Sequence, residues 1–316
     1  MTRPRILLTR RWPEAVEARL AERYDVTLNA RDVPLDADAL RAALRDYDAV
    51  CPTVTDRLPA DVIEGATTRM IGNYGAGFEH IDLDAARAAG VIVTNTPDVL
   101  TDATADIAML LILAATRRAS EGERELRAGA WSGWRPTHLL GHSLSGKTLG
   151  LIGYGRIARA TADRAKAFGM RVIYHSRNQA EDMPADAYRA TPLELATDAD
   201  VVSLHAPGGA ATRHMVDAAF LDAMRPTAVL VNTARGTLVD EAALAEALNT
   251  GRIAAAGLDV YAREPEVPPA LLACPTAVLL PHLGSATIET RTAMGMRVAD
   301  NLDAVFDGRE PRDRIA

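Results

Sequence analysis

Short apolar runs alternate with longer amphipathic segments through the first 98 residues. A short apolar run is typical of a buried strand, and apolar positions that recur every three or four residues are typical of a helix. The pattern predicts strands at residues 5–9, 25–28, 49–52, 70–73 and 91–94, with helices at 13–23, 36–45, 60–65 and 83–89. Because strands that alternate with helices form parallel sheets, we predict a parallel α/β domain whose ligands lie at the carboxyl ends of its strands.

The same alternation returns after residue 148. It predicts strands at residues 149–152, 171–174, 201–205, 228–232 and 254–260, and a final helix at 288–306. An apolar segment at 101–116 begins with an N-capping threonine, and it predicts a buried helix too short to span a membrane. A chain of 316 residues exceeds the usual size of a single core. We therefore predict an α/β protein with two doubly wound parallel-sheet domains.

A glycine-rich turn at residues 153–157, here called the nucleotide turn, joins a predicted strand to a predicted helix. Gly153 and Gly155 occupy the first two positions of G-x-G-x-x-G, and Ala158 occupies the third. Such a turn lets a pyrophosphate approach the backbone, and the helix N-terminus behind it attracts the negative charge. A turn that serves only packing is the alternative, but the helix and strand that follow complete the βαβ unit of a dinucleotide site.

The residues after the second strand of this unit indicate which dinucleotide binds. An acidic residue there would bind the ribose 2′-hydroxyl and repel a 2′-phosphate, whereas an arginine can pair with that phosphate. This chain has His175, Ser176, Arg177 and Asn178 at these positions. We therefore predict NADP(H) in preference to NAD(H), with a solvated loop arginine as the alternative interpretation of Arg177.

A second glycine-containing segment, residues 73–80, follows the predicted strand at 70–73 and is here called the Gly75 loop. Gly75 and Gly77 flank Ala76, and a segment of this kind can turn several backbone N–H groups toward an anion. A tight turn with positive φ explains the two glycines equally well.

Three residues close to the ends of predicted strands could act on a 2-oxo acid: Arg235, Glu264 and His282. When a carbonyl receives a hydride its oxygen gains negative charge, so the site needs a cation and a proton donor. Arg235 can hold a carboxylate and polarise the carbonyl, and His282 can donate the proton. Glu264 would stabilise the protonated histidine and fix its orientation. Each has a structural alternative, and their joint placement downstream of the nucleotide turn favours the catalytic interpretation.

Composition narrows the class of partner. The chain is 48% hydrophobic and 24% charged with a net charge of −7, and it has no basic run, which argues against a nucleic-acid partner. Cys51 and Cys274 form no C-x-x-C pattern, so we expect a reducing compartment and no metal site. The N-terminal segment lacks a signal-peptide core. We expect a cytoplasmic enzyme with a small-molecule substrate and no membrane association.

Over nearly its whole length the chain resembles the D-isomer-specific 2-hydroxyacid dehydrogenase family, and within it the glyoxylate and hydroxypyruvate reductases. The motifs that carry the resemblance occur at residues 73–82, 94–97, 101–105, 150–157, 231–236, 257–260, 264–265 and 281–287. The resemblance implies a flavodoxin-like substrate-binding domain at 1–98 and 288–316, and a Rossmann dinucleotide-binding domain at 99–287. It also implies catalysis in the cleft between them and a homodimer. The tryptophan-containing segment 131–141 resembles the segment that, in glyoxylate and hydroxypyruvate reductases, reaches toward the cleft of the partner subunit.

The resemblance also implies a role for each matched residue. Arg235 binds the substrate carboxylate and carbonyl, His282 is the acid–base residue and Glu264 tunes it. Asp259 and the backbone near Thr233 and Ala234 contact the nicotinamide amide. The implied substrate-binding residues are Val54, Tyr74, Gly75, Ala76, Gly77, Arg235 and His282. The implied cofactor-binding residues are Thr104, Gly153, Tyr154, Gly155, Arg156, Ile157, Ser176, Arg177, Asn178, His205, Ala206, Pro207, Thr212, Thr233, Ala234, Asp259 and Gly284.

The predicted function is NADPH-dependent reduction of a small 2-oxo acid, glyoxylate or hydroxypyruvate, to the D-2-hydroxy acid. Alternatives within the family are an NAD-dependent D-2-hydroxyacid or D-3-phosphoglycerate dehydrogenase, the latter often with a regulatory domain that we do not expect here. Formate dehydrogenase resembles a chain with glutamine in place of Glu264, so the carboxylate argues against it. A non-enzymatic dinucleotide-sensing protein is the alternative from another class, since corepressors share this fold.

Overall fold

The computed structural model describes residues 3–316, which divide into two compact units. Unit 1 combines the chain up to Leu100 with Ser285–Ala316, and unit 2 is Thr101–Gly284. The domain boundaries expected from the sequence were 1–98 with 288–316, and 99–287. Within residues 3–316, none of the helices combines the length and the apolar character needed to cross a bilayer.

Unit 1 is built on a five-stranded parallel sheet in the order β2-β1-β3-β4-β5. Its strands are β1 (Arg5–Leu8), β2 (Asp25–Leu28), β3 (Ala49–Cys51), β4 (Met70–Gly72) and β5 (Ile92–Thr94). Its helices are α1 (Glu14–Arg23), α2 (Ala37–Asp46), α3 (Ala60–Ile63), α4 (Leu83–Ala88) and α12 (Ile288–Phe306). This is the flavodoxin-like strand order, as predicted.

Both faces of this sheet are covered, and β1 illustrates how. Ile6 and Leu8 pack with Val298 of α12 on one face. Leu7, between them in sequence, packs with Leu44 of α2 on the other. Successive strand side chains point to opposite faces, so a sheet buried on both sides needs apolar residues at every position. That requirement explains why the strands are continuous apolar runs in the sequence.

The last residues of the chain extend the unit 1 sheet beyond β5, which the sequence analysis did not predict. Thr94 forms an antiparallel bridge with Arg314, and the Val93 carbonyl accepts a 2.8 Å hydrogen bond from the Ile315 amide. Asp313 is buried and accepts a 2.9 Å hydrogen bond from Nδ2 of Asn301 in α12. This C-terminal tail therefore pairs with the edge of β5.

Unit 2 is built on a six-stranded parallel sheet in the order β11-β10-β9-β8-β6-β7. Its strands are β6 (Thr148–Ile152), β7 (Arg171–His175), β8 (Val201–Leu204), β9 (Val229–Asn232), β10 (Ala255–Leu258) and β11 (Ala277–Leu279). Its helices are α5 (Thr101–Thr116), α6 (Ala119–Arg127), α7 (Arg156–Ala167), α8 (Pro192–Asp198), α9 (Ala218–Ala223), α10 (Glu241–Asn249) and α11 (Pro269–Leu272). The chain reverses direction across the sheet between β6 and β8, where Rossmann folds bind their ligands.

Two local features differ from the predicted elements. Strand β10 ends at Leu258 rather than at residue 260, so Asp259 lies just beyond the strand. Helix α5 is mostly buried, as its apolar sequence predicts, but the Leu110 side chain is 49% exposed.

Candidate active site

The nucleotide turn joins β6 to α7 and has the geometry of an anion site. Gly153 has φ +85°, and a Cβ there would lie 2.7 Å from the backbone nitrogen of Ala206. Only glycine fits both constraints. A Cβ on Gly155 would meet no described atom within 4 Å, so the backbone at this position faces open space. Helix α7 has neither a side-chain cap nor an acidic residue in its first turn, so the positive end of its dipole suits an anionic ligand.

The rest of this turn is held by packing. The ring of Tyr154 lies 4.5 Å from that of Tyr174, and the Arg159 guanidinium stacks 4.5 Å from the Tyr154 ring centre. Arg156 and Ile157 form the first turn of α7. Ala158, at the third glycine position, is fully buried in the same core cluster as Leu149. The fold therefore accommodates the extra methyl group between helix and strand.

At the end of β7, His175 occupies the position where an acidic residue would contact a ribose. Its Nδ1 lies 2.9 Å from the Arg189 carbonyl oxygen, and since a carbonyl only accepts, Nδ1 carries the proton. The Ser176 hydroxyl donates to the Asn178 carbonyl. Arg177 is exposed, and it makes no hydrogen bond or ion pair within the described residues. Its guanidinium is thus available to an anionic ligand.

At the end of β8, His205 lies beside the nucleotide turn. Its Nε2 is 2.9 Å from Oγ of the buried Ser203. Burial lowers the pKa of His205 to about 4, so the ring is neutral at physiological pH. Beyond Ala206, the Thr212 hydroxyl donates a 2.8 Å hydrogen bond to the Pro207 carbonyl and closes the loop.

At the end of β9, a buried amide shapes the segment that carries Arg235. Asn232 donates from Nδ2 to the Arg235 carbonyl (2.9 Å) and accepts the Ala234 amide at Oδ1 (3.0 Å). Thr233 Oγ1 is buried without a hydrogen-bond partner among the described residues. Asn232 was not among the residues expected at the site, although an amide at the end of a buried apolar strand is a usable signal.

Asp259, just after β10, holds the segment that carries His282. Its side chain is buried and accepts the amides of Leu283 (2.6 Å) and Gly284 (2.8 Å), while its carbonyl accepts the His282 amide (2.9 Å). Burial raises the pKa of Asp259. His282 has φ 55°, which is costly for a residue with a side chain, and these hydrogen bonds support it. Thr104 of α5 adds a 3.2 Å hydrogen bond to the Gly284 carbonyl.

Glu264 and His282 form a hydrogen-bonded pair, with Oε2 2.7 Å from Nδ1. Glu264 Oε1 accepts the Tyr261 amide at 2.9 Å. Burial raises the pKa of Glu264, but the hydrogen bond and charge of His282, the Tyr261 amide and the charge of Arg235 outweigh it, so the net pKa is lowered. The carboxylate is therefore ionised at neutral pH. Because it engages Nδ1, Nε2 is the ring nitrogen left for a substrate.

The Gly75 loop follows β4 in unit 1. Neither Gly75 nor Gly77 has a positive φ, so the left-handed tight turn considered as an alternative is not what this segment forms. A Cβ on Gly75 would lie 3.5 Å from Cγ1 of Val54, whose side chain is 39% exposed. The Tyr74 side chain is held in place at both ends. Its ring centre lies 4.5 Å from that of Trp12, and its hydroxyl donates a 2.6 Å hydrogen bond to the Arg291 carbonyl. Ala76 lies between the two glycines of this loop.

In unit 2 the structure thus brings the nucleotide turn, Asp259, Arg235 and the Glu264–His282 pair to the carboxyl ends of the strands of one sheet. Unit 1 gathers Val54, Tyr74 and the two loop glycines at the corresponding edge of its own sheet. Within residues 3–316, no group of three or more histidine, cysteine or acidic side chains is placed to hold a metal ion.

Comparison with known proteins identifies the family. Residues 109–284 match the NAD-binding domain of the D-isomer-specific 2-hydroxyacid dehydrogenases. The glyoxylate reductase of Aeropyrum pernix is 43% identical over 100% of this chain and 96% of its own, and that of Thermococcus onnurineus is 40% identical over 98% and 95%. A solved NADPH-dependent glyoxylate/hydroxypyruvate reductase from Sinorhizobium meliloti, in complex with NADP and malonate, aligns with a TM-score of 0.89 at 39% identity, covering 100% of this chain and 97% of that one. The chain therefore belongs to the D-isomer-specific 2-hydroxyacid dehydrogenases and is an NAD(P)-dependent dehydrogenase.

Proposed function

We propose that this dehydrogenase reduces a small 2-oxo acid, with glyoxylate and hydroxypyruvate as first candidates, to the D-2-hydroxy acid at the expense of NADPH. The observation that carries the proposal is the Glu264–His282 pair at 2.7 Å, with Arg235 close enough to lower the pKa of the same carboxylate. A cation beside a histidine oriented by an ionised carboxylate is what reduction of a carbonyl requires.

Each residue of this group has a distinct task in the proposed reaction. Arg235 pairs with the substrate carboxylate and polarises the carbonyl through its forked N–H donors. Glu264 keeps the Nδ1 proton of His282 in place, so that Nε2 delivers a proton to the carbonyl oxygen as negative charge develops there. In unit 1, the backbone amides of the Gly75 loop bind the substrate carboxylate.

The residues around the nucleotide turn fit a nicotinamide dinucleotide. The open space at Gly155 and the uncapped N-terminus of α7 suit a pyrophosphate, and the unpartnered Oγ1 of Thr233 suits a polar group such as the nicotinamide amide. When bound, the cofactor supplies the hydride. The preference for NADP(H) is supported by the exposed Arg177 guanidinium and by His175 in place of an acidic residue.

The test is a set of initial rates for glyoxylate and hydroxypyruvate reduction, each with NADPH and with NADH, followed by the absorbance of the reduced nicotinamide. We expect turnover of at least one acid and a higher kcat/KM with NADPH. An Arg177→Ser variant should lose roughly tenfold or more in kcat/KM for NADPH and little for NADH. The matched control is Arg31→Ser, an exposed arginine of unit 1 with no assigned role.

Two other outcomes of these rate measurements would change the proposal. Equal or better rates with NADH would overturn the cofactor preference and leave the reductase in place, as the NAD-dependent alternative. Tight dinucleotide binding without turnover of any 2-oxo acid would favour the dinucleotide-sensing protein instead.

A further inference from the structure

The three successive carbonyl groups of the Gly75 loop are all held by hydrogen bonds. Asn73 Nδ2 donates to the carbonyls of Gly75 (3.0 Å) and Gly77 (2.8 Å), and Asn95 Nδ2 donates to that of Ala76 (2.8 Å). The Thr96 amide adds a second bond to the Gly75 carbonyl at 3.0 Å. Asn73 is fully buried and Asn95 is 8% exposed, so these bonds compete little with solvent.

Fixing a carbonyl also fixes the next N–H group. A trans peptide is planar, with its C=O and N–H pointing in opposite directions, so the direction of each carbonyl sets that of the amide one residue later. Holding the carbonyls of residues 75–77 therefore fixes the directions of the amides of Ala76, Gly77 and Phe78, each of which points away from the carbonyl that precedes it. Within the described residues, none of these three amides donates to a protein atom. They are three successive backbone donors that an anionic ligand can use.

The orientation of the Asn73 side chain follows from the same contacts. Nδ2 of Asn73 donates its two protons to the two carbonyls. The contact of 3.0 Å with His80 Nε2 is therefore made by Oδ1, which accepts. His80 Nε2 is therefore protonated in this arrangement. The two carbonyls, which can only accept, thus fix the orientation of the Asn73 amide, and His80 adds a third hydrogen bond that holds the side chain in place.

We propose that Asn73, held in place by His80, is a positioning residue for substrate binding: it holds the Gly75 loop so that the amides of Ala76, Gly77 and Phe78 bind the substrate carboxylate. The inference rests on the proposed function, since it deepens the role given there to this loop. Asn73 itself does not touch the substrate.

The test uses neutral substitutions in the full-length enzyme. Asn73→Asp would add a negative charge near the bound anion, so its repulsion of the anion could not be separated from the loss of the two donated hydrogen bonds. Asn73→Leu removes both donors at similar size. We expect its KM for glyoxylate, and its Kd for the unreactive analogue oxamate, to rise roughly 10- to 100-fold with kcat changed little, since carboxylate binding is shared by ground and transition states. The Kd for NADPH should stay unchanged.

Asn29→Leu is the matched control. Asn29 also lies in unit 1 and also donates twice from Nδ2 to backbone carbonyls, those of Thr9 (2.8 Å) and Val33 (2.7 Å), but it is not in the Gly75 loop. Its loss should lower Tm to a similar extent and leave KM and the oxamate Kd unchanged. A KM increase as large as that of Asn73→Leu would mean that general loosening of unit 1 is responsible.

The His80 variants make the test independent of whether Asn73→Leu folds. His80→Gln keeps an N–H donor for Asn73 Oδ1 and should retain a KM near that of the unmodified enzyme, whereas His80→Leu should raise it. Equal KM values for these two variants and the unmodified enzyme would overturn the proposal. Absence of glyoxylate and hydroxypyruvate turnover by the unmodified enzyme would instead overturn the proposed function.

Discussion

His282 is constrained at both its side chain and its backbone. Glu264 holds Nδ1 of the ring, and Asp259 holds the segment in which His282 adopts φ 55°. Such a combination places one nitrogen, Nε2, with little freedom of rotation. Preorganisation of this kind lowers the cost of reaching the reactive geometry and so acts on turnover more than on binding.

The first prediction concerns His282 and Arg235. His282→Ala should lower kcat about 100- to 10,000-fold with a small change in KM, because it removes only the proton donor. Arg235→Ala should raise KM and lower kcat together, because the guanidinium acts on both the carboxylate and the carbonyl. Steady-state kinetics with glyoxylate would measure both effects, with the exposed His142→Ala as the control. Unchanged kcat/KM in either variant would remove that residue from the mechanism.

The second prediction concerns stability and pH. Burial lowers the pKa of His205 to about 4 in the folded protein, against about 6.5 in the unfolded chain. Between these values the unfolded chain binds a proton that the folded protein does not, so this residue reduces stability as pH falls from 6.5 to 4. The full effect is roughly 3 kcal/mol.

Urea unfolding at pH 7.5, 5 and 4 would detect this effect. His205→Gln should lose less stability than the unmodified protein over this range, and His142→Gln should follow the unmodified protein. A parallel decline of all three proteins would mean that the ring of His205 takes up a proton without unfolding.

The sequence predicts the chemistry of single residues, but not the hydrogen bonds that their side chains make to the backbone. Arg235, Glu264 and His282 could be proposed from the sequence because their chemistry suits a 2-oxo acid, and their catalytic roles stay predictions. The contributions of Asn232, Asn73 and Asp259 to loop geometry were not, because each depends on which backbone atoms lie within 3 Å of a side chain. Hydrophobic periodicity carries no information about such contacts.

At the scale of elements, the strands and the final helix were predictable because each is a continuous pattern. The C-terminal tail was not, since it has no regular pattern of its own and pairs with β5 through backbone atoms and a buried carboxylate. Asp313 is also close to Arg297, at 3.3 Å, with both side chains mostly buried. Removing one partner of a buried ion pair lowers stability strongly, because the other charge is left buried without a partner.

The third prediction follows from this pair. Asp313→Ala should destabilise unit 1 by about 3 kcal/mol, because Arg297 and Asn301 lose their buried partner. Glu310→Ala, which removes an exposed pair with Arg314, should cost less than about 1 kcal/mol. Chemical denaturation of both variants gives the comparison. Equal effects would show that the tail is held by its backbone pairing alone.

At the scale of the whole molecule, each apolar core cluster lies within one unit. The two clusters of unit 2 draw all their residues from within Thr101–Gly284, and the two of unit 1 draw theirs from outside it.

The fourth prediction is that Thr101–Gly284, expressed alone, unfolds in a single cooperative transition and binds NADPH without reducing glyoxylate. Calorimetry and a fluorescence titration would test this, and a broad, non-cooperative transition would refute it.

The homodimer implied by the family resemblance stays a prediction at this scale. Trp131 and Trp134 are 51% and 82% exposed in the segment that, by the resemblance, reaches toward the partner subunit's cleft. Exposed aromatic side chains of this kind are typical of an interface.

The discontinuity of unit 1 has a consequence for the order in which the protein can fold during synthesis. A ribosome releases the chain from its N-terminus, and domains generally fold as units as they emerge. Unit 2 is continuous, so its core is complete as soon as Gly284 has emerged. Unit 1 begins first and finishes last, because Val298, Leu302 and Val305 of α12 belong to its core. Its first 100 residues must therefore wait, with one face of their sheet covered by α1 but not by α12, while the second unit is made. A chaperone that shields that face would act during this interval.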